Sequence, residues 1–184
     1  MSKLTIQPNN KDHIQGNEKS SITLVEYGDF ECPYCGEAYP IVKEIKKIKG
    51  DVLRFVFRNF PLSEMHQYAL HAAYAAEAAG KQSKFWEMHD LLFENQENLD
   101  DKDLRLYAEE LSLDINKFAK DMDSDDIAKK VQEDIIGGIK SGVNGTPTFF
   151  INGVRFDGSY KLDSLLEAIE KIGFKNNSNG KPTS

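Results

Sequence analysis

With 184 residues and a formal net charge of −7, the chain can bury a core that needs no disulfide staples, and its acidic balance argues against sequence-independent binding to nucleic acid or anionic lipid. No apolar stretch approaches the ~20 residues that span a bilayer. Met1-Ser2-Lys3-Leu4-Thr5-Ile6-Gln7 has no apolar signal core, so the sequence as it stands reads as cytoplasmic, although an exported protein stripped of its leader would read the same way.

Residues 1–20 are polar apart from Leu4 and Ile6 and read as a loosely attached arm with room for one edge strand. Ile22 to Tyr27 reads as a strand. A helix is expected from Glu37 to Lys49, kinked at Pro40 and stopped at Gly50. Val52 to Arg58 is nearly continuous in apolar residues, which suits a strand covered on both faces. Residues 63–142 then carry helical spacing throughout. Met65, Tyr68, Ala69, Ala72, Ala73, Ala76 and Ala79 line a first face. Phe85, Met88, His89 and Leu92 follow a Ser83 cap. Leu104, Tyr107, Ala108 and Leu111 follow Asp100 or Asp101, Ile115, Phe118, Ala119 and Met122 follow Asp114, and Ile127, Ala128, Val131, Ile135 and Ile139 follow Ser124. That predicts five short helices.

The strand pattern returns at Thr148-Phe149-Phe150-Ile151. Asn152-Gly153 and then Val154-Arg155-Phe156 complete a hairpin signal. A last amphipathic helix uses Leu162, Leu165, Leu166, Ile169 and Ile172, with Gly173 beyond it. Lys175 to Ser184 is a polar tail expected to be disordered. The pattern predicts an α/β domain, residues 21–62 and 143–174, split by an all-helical insertion at 63–142.

The two cysteines, in Cys32-Pro33-Tyr34-Cys35, fall between the first strand and the first helix. A helix N-terminus offers unpaired N–H groups and positive dipole charge, which favour a thiolate over a thiol. The thiolate is the nucleophile of thiol–disulfide exchange. Cys32 is the expected attacking sulfur and Cys35, one turn further in, the resolving one. Pro33 suits the first helical turn, and Pro33 with Tyr34 sets how many donors reach the thiolate. The competing readings are a zinc half-site and a pair of structural thiols. Zinc needs about two more ligands, and His66, His71 and His89 lack paired spacing.

Glu26 shares a strand face with Ile22 and Leu24. A carboxylate there is costly unless used; burial raises its pKa and makes it a candidate proton acceptor for Cys35. The alternative is a surface glutamate on an edge strand. Asp29, in the loop before Cys32, reads as a solvated loop residue, and His66 as a satisfied boundary histidine. Phe85, Trp86 and Phe93 read as core. Thr146-Pro147 directly precedes the second group of strands. A cis bond there would turn the Thr146 backbone outward, where a substrate strand could pair with it. Pro33, Tyr34, Thr146 and Pro147 form the expected substrate-contacting set.

Together, Val25 to Cys35, Phe57-Arg58-Asn59-Phe60-Pro61-Leu62, Ala72 to Gly80, Phe85-Trp86-Glu87-Met88-His89 and Gly142 to Gly153 make the chain resemble the DsbA-type family of thiol–disulfide oxidoreductases over residues 13–173. The resemblance implies a thioredoxin-like fold split by a helical insertion. It implies a solvent-facing nucleophile at Cys32, a buried partner at Cys35, a cis-proline loop at Thr146-Pro147 facing the sulfurs, and a buried acid at Glu26. It further implies protein thiols or disulfides as substrates and a redox partner protein or glutathione to recycle the couple, with no metal or organic cofactor. Pro-Tyr stands where the strongly oxidising periplasmic members carry Pro-His, so the direction of electron flow is left open. Two other classes compete: a glutathione-dependent transferase or isomerase on the same scaffold, and a chaperone-like module that binds unfolded chains without exchange.

Overall fold

The structure, a computed structural model, describes the backbone of residues 2–178 and the side chains of residues 2–172. Five strands form one sheet: β1 (His13–Gln15), β2 (Ile22–Gly28), β3 (Leu53–Asn59), β4 (Thr148–Ile151) and β5 (Val154–Phe156), in the spatial order β1-β3-β2-β4-β5. β2 and β3 are parallel, and the other neighbouring pairs are antiparallel. Parallel neighbours need a long crossover, supplied here by helix α1 (Pro33–Lys49). The central strand is β2, with Glu26 opposite Phe57 on one side and Phe149 on the other.

Alternation along the strands sorts the sheet into two cores. Leu24, Phe55, Phe57, Phe149 and Ile151 face the larger one, with α1 and the helical block. Val25, Tyr27, Val56 and Phe150 face the smaller one, with Leu4, Phe60 and Val143. At the hairpin tip Asn152 and Gly153 both take positive φ, 48° and 79°, as a two-residue primed turn requires.

Five helices lie between β3 and β4: α2 (Ala69–Gly80), α3 (Phe85–Glu94), α4 (Asp101–Glu110), α5 (Ile115–Met122) and α6 (Asp125–Lys140). Asp100, Asp114 and Ser124 cap the last three, each accepting from the backbone N–H three residues on. Ser83 does not cap α3. It takes φ 62° and closes α2 instead, with the N–H groups of Ser83 and Lys84 reaching back to the carbonyls of Gly80 and Ala79. Met65 is not on a helix face but in the turn before α2, 74% exposed. Ile139 is 61% exposed, because α6 presents Gly137 and Gly138 to the sheet. A methyl group on Gly138 would come within 2.8 Å of the Phe60 ring and 3.0 Å of Tyr27.

Both ends of the chain differ from expectation. The arm is strapped down, not loose. β1 pairs with β3, the Leu4 N–H bonds the Gly153 carbonyl, and Arg58 donates twice to the Asp12 carboxylate at 2.8 and 2.9 Å, with both side chains nearly buried. The last helix, α7 (Leu162–Ser178), passes through Gly173 and four residues into the expected tail. A helix already nucleated gains a bond with each added residue, and one glycine costs only about 1 kcal/mol. Residues 179–184 of that expected tail lie outside the described residues.

Candidate active site

Cys32 is the N-cap of α1 and Pro33 its first helical residue. The helix thus starts four residues before Glu37 and runs unbroken through Pro40. The Cys35 and Gly36 N–H groups both bond the Cys32 carbonyl, at 3.0 and 3.1 Å, which tightens the first turn and stacks the second sulfur beneath the first. Both cysteines are free thiols. The Cys32 thiol is pulled from 9.0 down to about 5. Its largest cause is the hydrogen bond from Cys35; burial opposes it, and the N–H groups of Cys35 and Tyr34 add to it. Cys35 moves the other way, pushed well up by burial, by its bond to Cys32 and by the charge of Glu26. The two sulfurs are therefore opposed in acidity, Cys32 favouring the thiolate and Cys35 the thiol.

The solvent-facing Cys32 implied by the resemblance is only 3% exposed. The facing loop covers it, with the Thr146 carbonyl accepting from its Sγ at 3.4 Å. Its neighbours Pro33 and Tyr34 are both exposed, Tyr34 to 58%. The Thr146–Pro147 peptide bond is cis. Glu26 lies in the large core, fully desolvated; burial lifts its carboxyl from 4.5 to about 8 against the pull of Lys46. It is not a surface residue on an edge strand.

Asp29 is buried, contrary to the solvated loop position expected of it. Its backbone N–H points at Cys35 Sγ, 3.5 Å away. Its carboxylate accepts from the Glu31 N–H at 2.8 Å, the Leu62 N–H at 2.8 Å and His66 Nδ1 at 2.7 Å. The loop after β3 is thereby locked to the loop that carries Cys32. Burial works against the His66 cation, but the bond and charge of Asp29, then the charges of Cys32 and Glu31, raise its pKa. Gln96, between α3 and α4, is a second residue that sequence reasoning passed over. Its Nε2 donates to the carbonyls of Phe30 and Cys32, at 2.8 and 2.9 Å, and its amide fills the space where a side chain at Gly36 would stand.

Asp29→Ala leaves two backbone donors and an imidazole without their acceptor. At ~1–3 kcal/mol for a stranded buried donor, urea unfolding should show a loss of about 3 kcal/mol. The His66 titration followed by NMR should shift downward in the same variant. Because its pKa is raised in the folded state, the His66 contribution is present in full below the unfolded value of 6.5 and fades as pH rises through the folded one.

Among the described residues, the larger grooves are not lined by the sulfurs. A groove of about 350 Å³, lined by Tyr74, Ile115, Phe118 and Met122, lies in the helical block and includes neither cysteine.

A family model described as Thioredoxin matches residues 8–171. Among solved structures, a thioredoxin-like oxidoreductase from Silicibacter pomeroyi superposes with a TM-score of 0.81 at 25% identity, covering 91% of this chain and 94% of that one. Oxidised BdbD from Bacillus subtilis gives 0.79 at 25%, covering 95% and 100%. α-DsbA1 from Wolbachia pipientis gives 0.83 at 22%, covering 98% and 100%, a likeness of fold alone. Among curated proteins, Na(+)/H(+) antiporter NhaA 1 of Salinispora arenicola is 48% identical over 159 residues, 86% of this chain but 24% of that protein. Its namesake in Mycolicibacterium vanbaalenii is 40% identical over 162 residues, 87% and 26%. The chain thus spans about a quarter of the curated relatives it matches. No helix among the described residues is long and apolar enough to cross a membrane.

Proposed function

Because the chain belongs to the thioredoxin family and has the DsbA-type fold, we propose that it catalyses dithiol–disulfide exchange in protein substrates. The observation that carries this reading is the seating of both sulfurs at the start of α1, with Cys32 as its N-cap bonded to the Thr146 carbonyl of the cis-proline loop and Cys35 fully buried one turn in. A Cys32 thiolate attacks a substrate disulfide to give a mixed disulfide. Cys35 then attacks Cys32 and expels the substrate thiolate. The same steps run backwards oxidise a substrate dithiol. Exposed Pro33 and Tyr34, with the Thr146-Pro147 backbone, form the docking edge, and a redox partner protein or glutathione recycles the couple. A transferase would need one sulfur and gives Cys35 and Glu26 no task. The antiport named for the longer relatives requires membrane-spanning chain, which this reading does not assign to residues 2–178.

An acidic nucleophile stabilises the reduced form and so favours electron uptake from substrates. The couple should therefore be more oxidising than a motif whose thiol has pKa ~7, at ~−270 mV. Equilibration with glutathione redox buffers measures that potential directly, alongside refolding of a scrambled disulfide protein. A potential near −270 mV would reverse the proposed direction. Absence of any exchange, with binding of unfolded chains retained, would favour the chaperone-like module.

A further inference from the structure

Two buried polar atoms have no hydrogen-bond partner in the core beneath the cysteines: Glu26 Oε1 and His89 Nε2. The two residues come from different parts of the fold, β2 and α3, and both are nearly inaccessible. They line the same small cavity, of about 10 Å³, the lower bound for one water molecule. Lys46, Lys43 and Tyr39 are the other polar side chains on its wall. Apolar cavities stay dry, whereas a polar one of this size with several partners is suited to hold a water.

The other nitrogen of His89 leads outward. Nδ1 lies 2.9 Å from Asp90 Oδ1, and Asp90 is 38% exposed. Burial works against the Asp90 charge, but the hydrogen bond from His89 and the charge of Lys43 hold its carboxyl below the usual range. An ionised carboxylate only accepts, so Nδ1 carries the proton and Nε2 offers its lone pair to the cavity. Burial pushes the imidazole pKa down, against Asp90 and with Lys46 and His13. The ring is boxed by Phe30, Phe57, Phe93 and Trp86 at 4.8–5.7 Å between centroids, so no rotation frees it for another role.

We propose that His89, through one water held in this cavity, carries the proton of Cys35 between Glu26 and Asp90 at the surface. The inference rests on the exchange reading above. When Cys35 resolves a mixed disulfide, its proton passes to Glu26. The Cys35–Cys32 bond forms as the Cys32–substrate bond breaks, and the electron pair leaves with the substrate thiolate. Glu26 then returns to its ionised form by giving the proton to the water, which gives one to Nε2, and the Nδ1 proton is released on the Asp90 side. In the oxidising direction the proton travels inward along the same path to the Cys35 thiolate. His89 touches neither sulfur and is a positioning and relay residue.

Nitrogen NMR of the whole wild-type protein tests the path without reference to any substrate. The expected spectrum shows the Nδ1–H tautomer, with an Nε2 resonance that moves as Glu26 titrates and stays fixed in Glu26→Gln. An Nε2 resonance indifferent to Glu26 overturns the proposal. Kinetically, His89→Phe keeps the aromatic packing and should slow the Cys35-dependent step by tenfold or more, within the range of acid–base assistance. That loss should disappear in the Glu26→Gln background, since one broken path cannot be broken twice. Losses that multiply overturn the relay in favour of a packing role. A wild-type protein that exchanges no disulfide sinks the functional reading, and the spectrum still decides for or against the proton path.

Discussion

Cys35→Ser should convert the protein from a turnover catalyst into a trap, with Cys32 joined to substrate in a mixed disulfide that mass spectrometry of the non-reduced protein detects. Cys35 is wholly buried, directly beneath the sulfur it must attack. An intramolecular nucleophile so placed has an effective molarity of ~10⁵ M or more. External thiols at millimolar concentration cannot match it, and the flanking loop limits their approach to a Cys32 that is itself recessed. Turnover should fall by at least ~10³-fold, against a ceiling of ~10⁸ set by the ratio of those two concentrations. Serine, not alanine, is the informative choice. Its hydroxyl can still donate to the Cys32 sulfur and keep part of the largest effect that acidifies it. Unchanged turnover would mean that one sulfur suffices and would return the transferase to contention.

Residues close in sequence were readable, and residues joined across the fold were not. Cys32 and Cys35 are three apart, and a strand-to-helix junction suffices to place both at the start of α1. Glu26 was readable because strand alternation puts it on the face of Ile22 and Leu24, and burial of that face is what raises its pKa. Asp100, Asp114 and Ser124 act as caps within their own turns. Ser83 sits between two helices and serves the wrong one, a choice that depends on the left-handed backbone it adopts. Asp29 looked solvated because its partners, Leu62 and His66, are 33 and 37 residues away. Gln96 holds the cysteine loop from 64 residues away, with no local pattern to mark it. The arm looked loose because the Asp12–Arg58 pair, 46 residues apart, gives no periodic signal. Ile139 was placed in the core by spacing alone, whereas glycines at 137 and 138 let the helix approach on the adjacent face.

Glu26→Gln should raise stability and slow exchange together. Below pH ~4.5 folded and unfolded chains both hold the Glu26 proton, and its burial carries no ionisation penalty. Between 4.5 and about 8 the unfolded chain releases that proton while the folded chain keeps it. Stability therefore falls as pH rises across this window, by ~1.4 kcal/mol per unit, and levels off above the folded value. At pH 7 the accumulated loss is about 3 kcal/mol. Glutamine, neutral at every pH, abolishes it. Urea unfolding at a series of pH values should show the variant more stable at pH 7, with a melting point higher by roughly 10 °C, and the two curves converging toward pH 4. The resolving step should in turn lose its base and slow by about a hundredfold, together with the component of its pH profile that rises through about 8. Parallel stability curves would mean that Glu26 is already ionised in the folded chain. In that event the carboxylate is no stronger a base than an ordinary glutamate, too weak to draw the Cys35 proton, and Cys35 must lose it by another route.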